Sequence, residues 1–183
     1  MKKTIILSGL SLLFSLPLLA QNIFTAIEAK DVASVKFLLS KGIDANTKDE
    51  QGATPLMNAA KTGQERIVLL LLQRNVDVDA QDKDGNTALI LASAQKGQED
   101  MLNLIVHHYP KLDAKNNEGT TAIIAAAKAG NAATVAYLMK YGASTQAKDK
   151  QHKAAIDYAR EQNNTELLAV LNNSEATGNT TGK

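Results

Sequence analysis

Asp49-Glu50-Gln51-Gly52-Ala53-Thr54-Pro55-Leu56-Met57-Asn58-Ala59-Ala60-Lys61-Thr62-Gly63 spells a polar turn followed by a short helix. Gly52 accepts the positive φ of a tight turn, and Thr54 supplies a side-chain oxygen for the first free N–H groups of a helix. Pro55 takes the first helical position, where its missing N–H costs nothing. Leu56, Ala59 and Ala60 fall on one face, and Gly63 ends the helix. A second helix follows, with Ile67, Val68, Leu70 and Leu71 at the i, i+1, i+3, i+4 spacing of a core-facing stripe.

The same unit is written several times. Gly52 returns 33 residues later as Gly85 and, after one extra residue, as Gly119; each is followed two positions on by a threonine, Thr54, Thr87 and Thr121. A second glycine series, Gly63, Gly97 and Gly130, marks the next turn of each copy. The tandem alanines Ala59-Ala60 correspond to Ala92-Ser93 and Ala126-Ala127, small enough for neighbouring helices to approach closely. Met101, Leu102, Leu104 and Ile105 repeat the stripe of the second helix. Repeats of this length stack into a quasi-linear solenoid, each unit burying its apolar face against its neighbours, so function has to lie on a surface.

Asp49-x-x-Gly52-x-Thr54-Pro55-Leu56-x-x-Ala59-Ala60-x-x-Gly63, continued by Ile67-Val68-x-x-Leu71-Leu72, resembles the ankyrin repeat nearly position for position. The likeness covers about residues 22–171, with full copies at 49–81, 82–115 and 116–148 and partial ones at 22–48 and 149–171. It implies an all-α repeat fold: an ankyrin solenoid of stacked helix-turn-helix units with short β-hairpin fingers and a concave side. Departures are visible. The histidine usual after the leucine is Met57, Ile90 or Ile124, so apolar packing is expected in place of its polar network. One residue is inserted around Gln95-Lys96, Tyr109-Pro110 replaces the usual Gly-Ala, and His152 stands where a glycine belongs.

The ends have a different character. Lys2 and Lys3 precede the apolar-rich stretch Ile5 to Leu19, and Leu18-Leu19-Ala20 ends in a small residue; residues 1–20 read as a cleavable signal peptide. That stretch, interrupted by Ser8, Ser11, Ser15 and Pro17, is short of the roughly 20 residues that span a bilayer. Export to the periplasm, or secretion beyond it, is expected, with no membrane insertion after cleavage. Residues 172–183, rich in Asn, Ser, Thr and Gly, read as a disordered tail.

Removing Lys2 and Lys3 leaves 18 bases against 19 acids, a formal charge of 18 − 19 = −1. Nucleic acid, which demands a basic stripe, is a poor partner for such a chain. There is no cysteine, so neither a disulfide nor a thiolate chemistry is available. The three histidines, His107, His108 and His152, form no catalytic or zinc motif, and an enzyme is not expected. The acidic run Asp77 to Gly85 resembles a calcium loop only superficially, with Ala80 at the first ligand position and Leu91 at the twelfth. No cofactor and no metal are expected. The triplets at Asn163, Asn172 and Asn179 fit glycan acceptors in form, but their setting in polar sequence accounts for them by chance.

The resemblance implies protein partners, met by the finger tips and the exposed positions of the first helices. Those positions are Glu50, Gln51, Ala53, Lys61 and Thr62; Lys83, Asp84, Asn86, Gln95 and Lys96; and Asn117, Glu118, Thr120 and Lys128. Lys61, Lys96 and Lys128 are read as equivalent sites, a row of solvated lysines that keep the surface soluble or, in the alternative, one suited to an acidic partner. A second row, Lys41, Arg74, His108 and Tyr141, precedes the usual glycine, and its mixture of arginine and aromatics is typical of contact patches. Leu69 is expected to be exposed on the convex side. The function expected is that of a monomeric, exported protein–protein interaction module; the residues leave open an immunity or inhibitor protein against a periplasmic toxin, an accessory to a periplasmic enzyme, and general scaffolding.

Overall fold

The computed structural model describes residues 22–178, and for 174–178 the backbone alone. Among the described residues ten helices pair in chain order: α1 (Ile23–Glu28) with α2 (Val32–Ser40), α3 (Pro55–Lys61) with α4 (Glu65–Leu72), α5 (Ala88–Ser93) with α6 (Glu99–Val106), α7 (Ala122–Lys128) with α8 (Ala132–Lys140), and α9 (Ala155–Glu161) with α10 (Thr165–Gly178). The odd-numbered helices form an inner layer and the even-numbered ones an outer layer, each helix touching its counterparts in the adjacent repeats. This is the all-α solenoid expected.

Local chemistry sets the helix starts. The hydroxyl oxygens of Thr54, Thr87 and Thr121 accept from the backbone N–H of Met57, Ile90 and Ile124. At the first of these starts the Met57 sulfur also accepts the Thr54 N–H at 3.4 Å. One polar contact therefore survives where apolar packing alone was expected; Ile90 and Ile124 have no atom to make it. In the last repeat Ala154 cannot cap, and the Asp157 carboxylate takes its N–H at 2.9 Å instead.

Packing follows from residue size. Ala59, Ala60, Ala92, Ser93, Ala126 and Ala127 are all fully buried where the inner helices meet, and the alanine-lined inner layer packs more extensively than the outer one. Between the layers Leu56, Ile67, Leu71, Leu102, Ile105, Ile123 and Leu138 are inaccessible to solvent. Burial of this apolar surface supplies the main stabilisation. Side-chain amides then tie repeat to repeat: Gln64 Nε2 donates to the Ile27 carbonyl, Asn131 Nδ2 to that of Gln95, and Gln162 Nε2 to that of Ala127.

The fingers are tight turns, and no strand forms among the described residues, in contrast to the hairpins expected. Each is closed by only two backbone bonds, too few for a ladder: Asp49 N–H to Ala53 O and Gly52 N–H to Asp49 O in the first. His152 has φ 62°, in keeping with its glycine position, and Tyr109 has φ 55°. Helix α10 reaches Gly178, seven residues beyond Leu171, so helical backbone enters the segment read as tail. The signal segment and residues 179–183 lie outside the described residues.

Candidate partner-binding surface

Each finger is built on one carboxylate or amide. Asp49 Oδ1 accepts the N–H groups of Gln51 and Ala53, Asp82 Oδ1 those of Asp84 and Asn86, Asn116 Oδ1 those of Glu118 and Thr120, and Asp149 Oδ1 those of Gln151 and Lys153. Neighbouring fingers are joined by one backbone bond each: Lys83 N–H to Gln51 O, Asn117 N–H to Asp84 O, and Lys150 N–H to Glu118 O. The tips therefore form one pre-ordered row, which lowers the ordering cost of binding.

Behind the tips, between α5 and α7, lies an open hollow of about 470 Å3. Its floor is apolar and small: Leu91, Ala94, Ala125 and Ala129. On the finger side its rim is fixed by Asn116 Nδ2 donating to Asn86 Oδ1 at 2.8 Å. Lys128 stands at its other edge, donating to Thr120 Oγ1 at 3.0 Å and pairing with Asp149 at 3.3 Å. The Lys128 ammonium also lies 4.9 Å from the Tyr158 ring centroid, a cation–π contact.

Electrostatics harden this edge. The Tyr158 hydroxyl donates to Asp149 Oδ2. Burial pushes the Asp149 carboxyl up, but the Tyr158 hydroxyl, the Lys153 N–H, the Lys128 ammonium and the Gln151 N–H outweigh it and hold the group below the usual carboxylate range. Burial, with the neighbouring Asp149 charge, pushes the Tyr158 phenol up. In the first finger Asp49 is held low in the same way: burial opposes, while the Asn58 amide, two backbone N–H groups and the Lys61 charge prevail.

The structure sorts the residues expected to bind. Glu50, Gln51, Lys83, Asp84, Asn117 and Glu118 are exposed on the tips, Lys61 at the end of α3, and Thr62, Gln95 and Lys96 on the turns after α3 and α5. Ala53 (8% exposed) and Thr120 (6%) are buried, a correction: each sits where its finger folds back onto the stack. Asn86 is half-buried and committed to Asp82 and Asn116. The lysine row also needs correction. Counted from Thr54, Thr87 and Thr121, the counterpart of Lys61 and Lys128 is Ala94; Lys96 falls in the turn lengthened by the insertion. Lys128 is tied to Asp149, so it is not a free cation.

Arg74, His108 and Tyr141 lie at the far ends of the outer helices and join none of this. There it is His107, not His108, that meets Tyr141, with ring centroids 6.0 Å apart; Tyr137 and Tyr141 are 4.8 Å apart. The sequence reading missed the hollow's floor. Asn58, Leu91, Ala125 and Tyr158 occupy one position of successive inner helices, and that run of mixed polar, apolar and aromatic residues was the available signal. The acids of the Asp77–Gly85 run spend Asp77 Oδ1 and Asp79 Oδ1 on the N–H groups of Asp79 and Lys111.

Among the described residues no helix is long and apolar enough to cross a membrane. A family model described as ankyrin repeats (3 copies) matches residues 23–116 and 94–181. No curated protein matches the chain significantly.

Proposed function

The chain belongs to the ankyrin-repeat family, whose repeats mediate protein–protein interaction, and from that premise we propose that it grips a partner protein with its finger row and the hollow between α5 and α7. The hollow carries this reading: an apolar floor at Leu91 and Ala125 beside a pre-ordered polar rim accepts one aliphatic or aromatic side chain and hydrogen-bonds its flanks. The residues that contact the partner are then Leu91, Ala94, Ala125, Lys61, Lys83, Asp84, Asn117 and Glu118. The hollow supports a binding role in preference to a catalytic one, since its lining offers packing and hydrogen bonds, and its one hydroxyl–amine contact, Thr120 with Lys128, has the lysine donating to the hydroxyl and paired with Asp149.

The export reading rests on Lys2-Lys3, the apolar stretch to Leu19 and the small residue Ala20. The partner is then a periplasmic or secreted protein, and inhibition of a toxin or support of an enzyme both use the same grip. Affinity capture from a periplasmic extract tests the binding surface. Wild type and the His108→Ala variant retain the partner and Ala125→Glu loses it; equal recovery by all three removes the hollow from consideration. Mass spectrometry of the exported form shows Gln21 at the N-terminus, and a retained Met1 excludes cleavage.

A further inference from the structure

Tyrosine is scarce in this chain, yet three of the four, Tyr109, Tyr137 and Tyr141, gather where α6 and α8 end. The Tyr137 and Tyr141 ring centroids are 4.8 Å apart, and the His107 ring meets Tyr141 edge to face. His107, Tyr109 and Tyr141, with Val106, Pro110 and Leu112, line a hollow of about 330 Å3. It shares no lining residue with the hollow between α5 and α7.

Tyr109 holds its place against its own backbone. It has φ 55° where Gly42 and Gly142 have φ 85° and 95°, and a residue that precedes a proline, as Tyr109 precedes Pro110, is normally extended. With its side chain 91% exposed, no packing offsets that cost. Strain kept without burial in return points to a use outside the fold.

The polar groups around the hollow define what it accepts. His107 Nδ1 lies 2.7 Å from the Asn103 carbonyl, which can only accept, so Nδ1 carries the proton and the neutral ring offers a lone pair at Nε2. The Tyr137 hydroxyl donates to Asn103 Oδ1 at 3.0 Å, which holds Tyr137 in place beside Tyr141. The Tyr109 hydroxyl makes no hydrogen bond among the described residues and can donate or accept. No carboxylate, lysine or arginine lines the hollow.

A cation, though drawn to aromatic faces, therefore finds no counter-charge there. A proline-rich segment offers carbonyls to the phenol but no donor to Nε2. An aliphatic side chain would displace water from both groups and pair with neither. The chemistry that fits has an apolar face for the tyrosine ring and an edge of hydroxyls, each able to donate and accept.

We propose that the hollow holds one neutral pyranose ring of β-gluco configuration, its C–H face on Tyr141 and its hydroxyls bonded to His107 Nε2 and the Tyr109 phenol. In that configuration the ring substituents are equatorial, so each face presents only C–H groups, whose positive hydrogens meet the negative face of the aromatic ring. A hollow of this size stands at the low end of small-ligand sites and admits a single ring. A free sugar and one residue of a glycan chain present that same ring.

Carbon–proton NMR of the tyrosine and histidine rings in the exported form tests this. The probes are methyl β-glucopyranoside and methyl N-acetyl-β-glucosaminide as single rings, and cellotetraose and chitotetraose as chains. Saturable shifts of the His107, Tyr109 and Tyr141 signals are expected, with a single-ring Kd on the order of 1–10 mM. A tetramer that binds about tenfold tighter or more identifies a chain as the ligand, and equal affinities a free sugar. Tyr109→Gly supplies the residue that other repeats use at this position, and His107→Phe keeps an aromatic ring while removing the acceptor. Each should weaken binding about tenfold or more with unchanged helical circular dichroism, whereas His108→Ala, outside the hollow, should bind as the wild type does. The absence of a saturable shift with every sugar up to about 100 mM, or undiminished binding by either hollow variant, overturns the proposal. So do shifts of the same signals by tetramethylammonium or decaproline without any by the sugars.

Discussion

Tyr158 donates its hydroxyl to Asp149, the residue on which the last finger is built, and so locks that finger to helix α9. The equivalent pair three repeats back along the stack is Asn58 and Asp49, joined at 2.9 Å. A phenol thus does in the last finger what an amide does in the first, and both carboxylates are held ionised by the donors around them.

Tyr158→Phe is expected to cost about 1–3 kcal/mol, because it keeps the ring and removes one charge-assisted hydrogen bond from a buried carboxylate oxygen, which is left with the Lys128 ammonium beside it. In a stack whose units touch only their neighbours the loss should fall on the last repeat. Hydrogen exchange checks this: amides of α9 and of 165–171 in α10 should exchange faster while those of α3 and α4 keep their protection. Uniform acceleration across the stack would show that the contact is not local.

The depressed carboxyls of Asp49 and Asp149 fix the acid limb of stability. A carboxyl whose folded pKa lies below its unfolded value stabilises the fold above the unfolded value of about 4, and that contribution is lost as pH falls through the folded one. Urea midpoints should therefore be flat in this contribution above about pH 5 and fall on further acidification. Asp149→Asn should be less stable than the wild type at neutral pH and show a shallower acid limb. Parallel limbs for the two proteins would mean that Asp149 is not linked to folding.

Leu71 sits wholly buried between the helix layers, and Leu71→Ala is expected to cost roughly 2–5 kcal/mol by urea denaturation. A loss below about 0.5 kcal/mol would place Leu71 outside the core, since that is the scale of an exposed substitution.

What the sequence made legible was whatever a single repeat decides for itself. Thr54, Thr87 and Thr121 cap their own helices, and the tandem alanines are buried because every copy needs the same close approach. The lost information is pairwise. Ala53 and Thr120 look like tip residues until the chain around them folds back onto the stack, and Lys96 looks equivalent to Lys61 until the inserted residue is assigned to the turn. The hollow is of the same kind: its floor comes from α5 and α7 together, so neither copy alone announces it. Tyr158 and Asp149 are nine residues apart, within one repeat, yet the other copies carry Asn58, Leu91 and Ala125 at the position of Tyr158, so no repeated residue type marks the pairing.

Two glycines separate backbone strain from crowding. Gly85 and Gly97 both have positive φ, 77° and 70°, so alanine at either costs about 1–2 kcal/mol for a left-handed residue. A Cβ at Gly85 would lie 2.8 Å from the backbone nitrogen of Asn117 in the next finger, whereas one at Gly97 meets nothing within 4 Å. Gly85→Ala should therefore be the more destabilising by about 1 kcal/mol or more, since the neighbouring finger must shift. Equal thermal midpoints for the two variants would show that adjacent fingers yield freely.

Tyr109 is the converse case. It holds φ 55° at the position that Gly42 and Gly142 fill in other repeats, and its side chain is 91% exposed. Almost no burial offsets the left-handed backbone, so Tyr109→Gly should stabilise the protein. The gain is about 0.5–1 kcal/mol, because the relief of strain exceeds the extra unfolded-state freedom of glycine. Chemical denaturation of the two proteins measures it directly. A variant less stable than the wild type would mean that the tyrosine ring makes a contact, within the copy or with a second one, that compensates for its backbone.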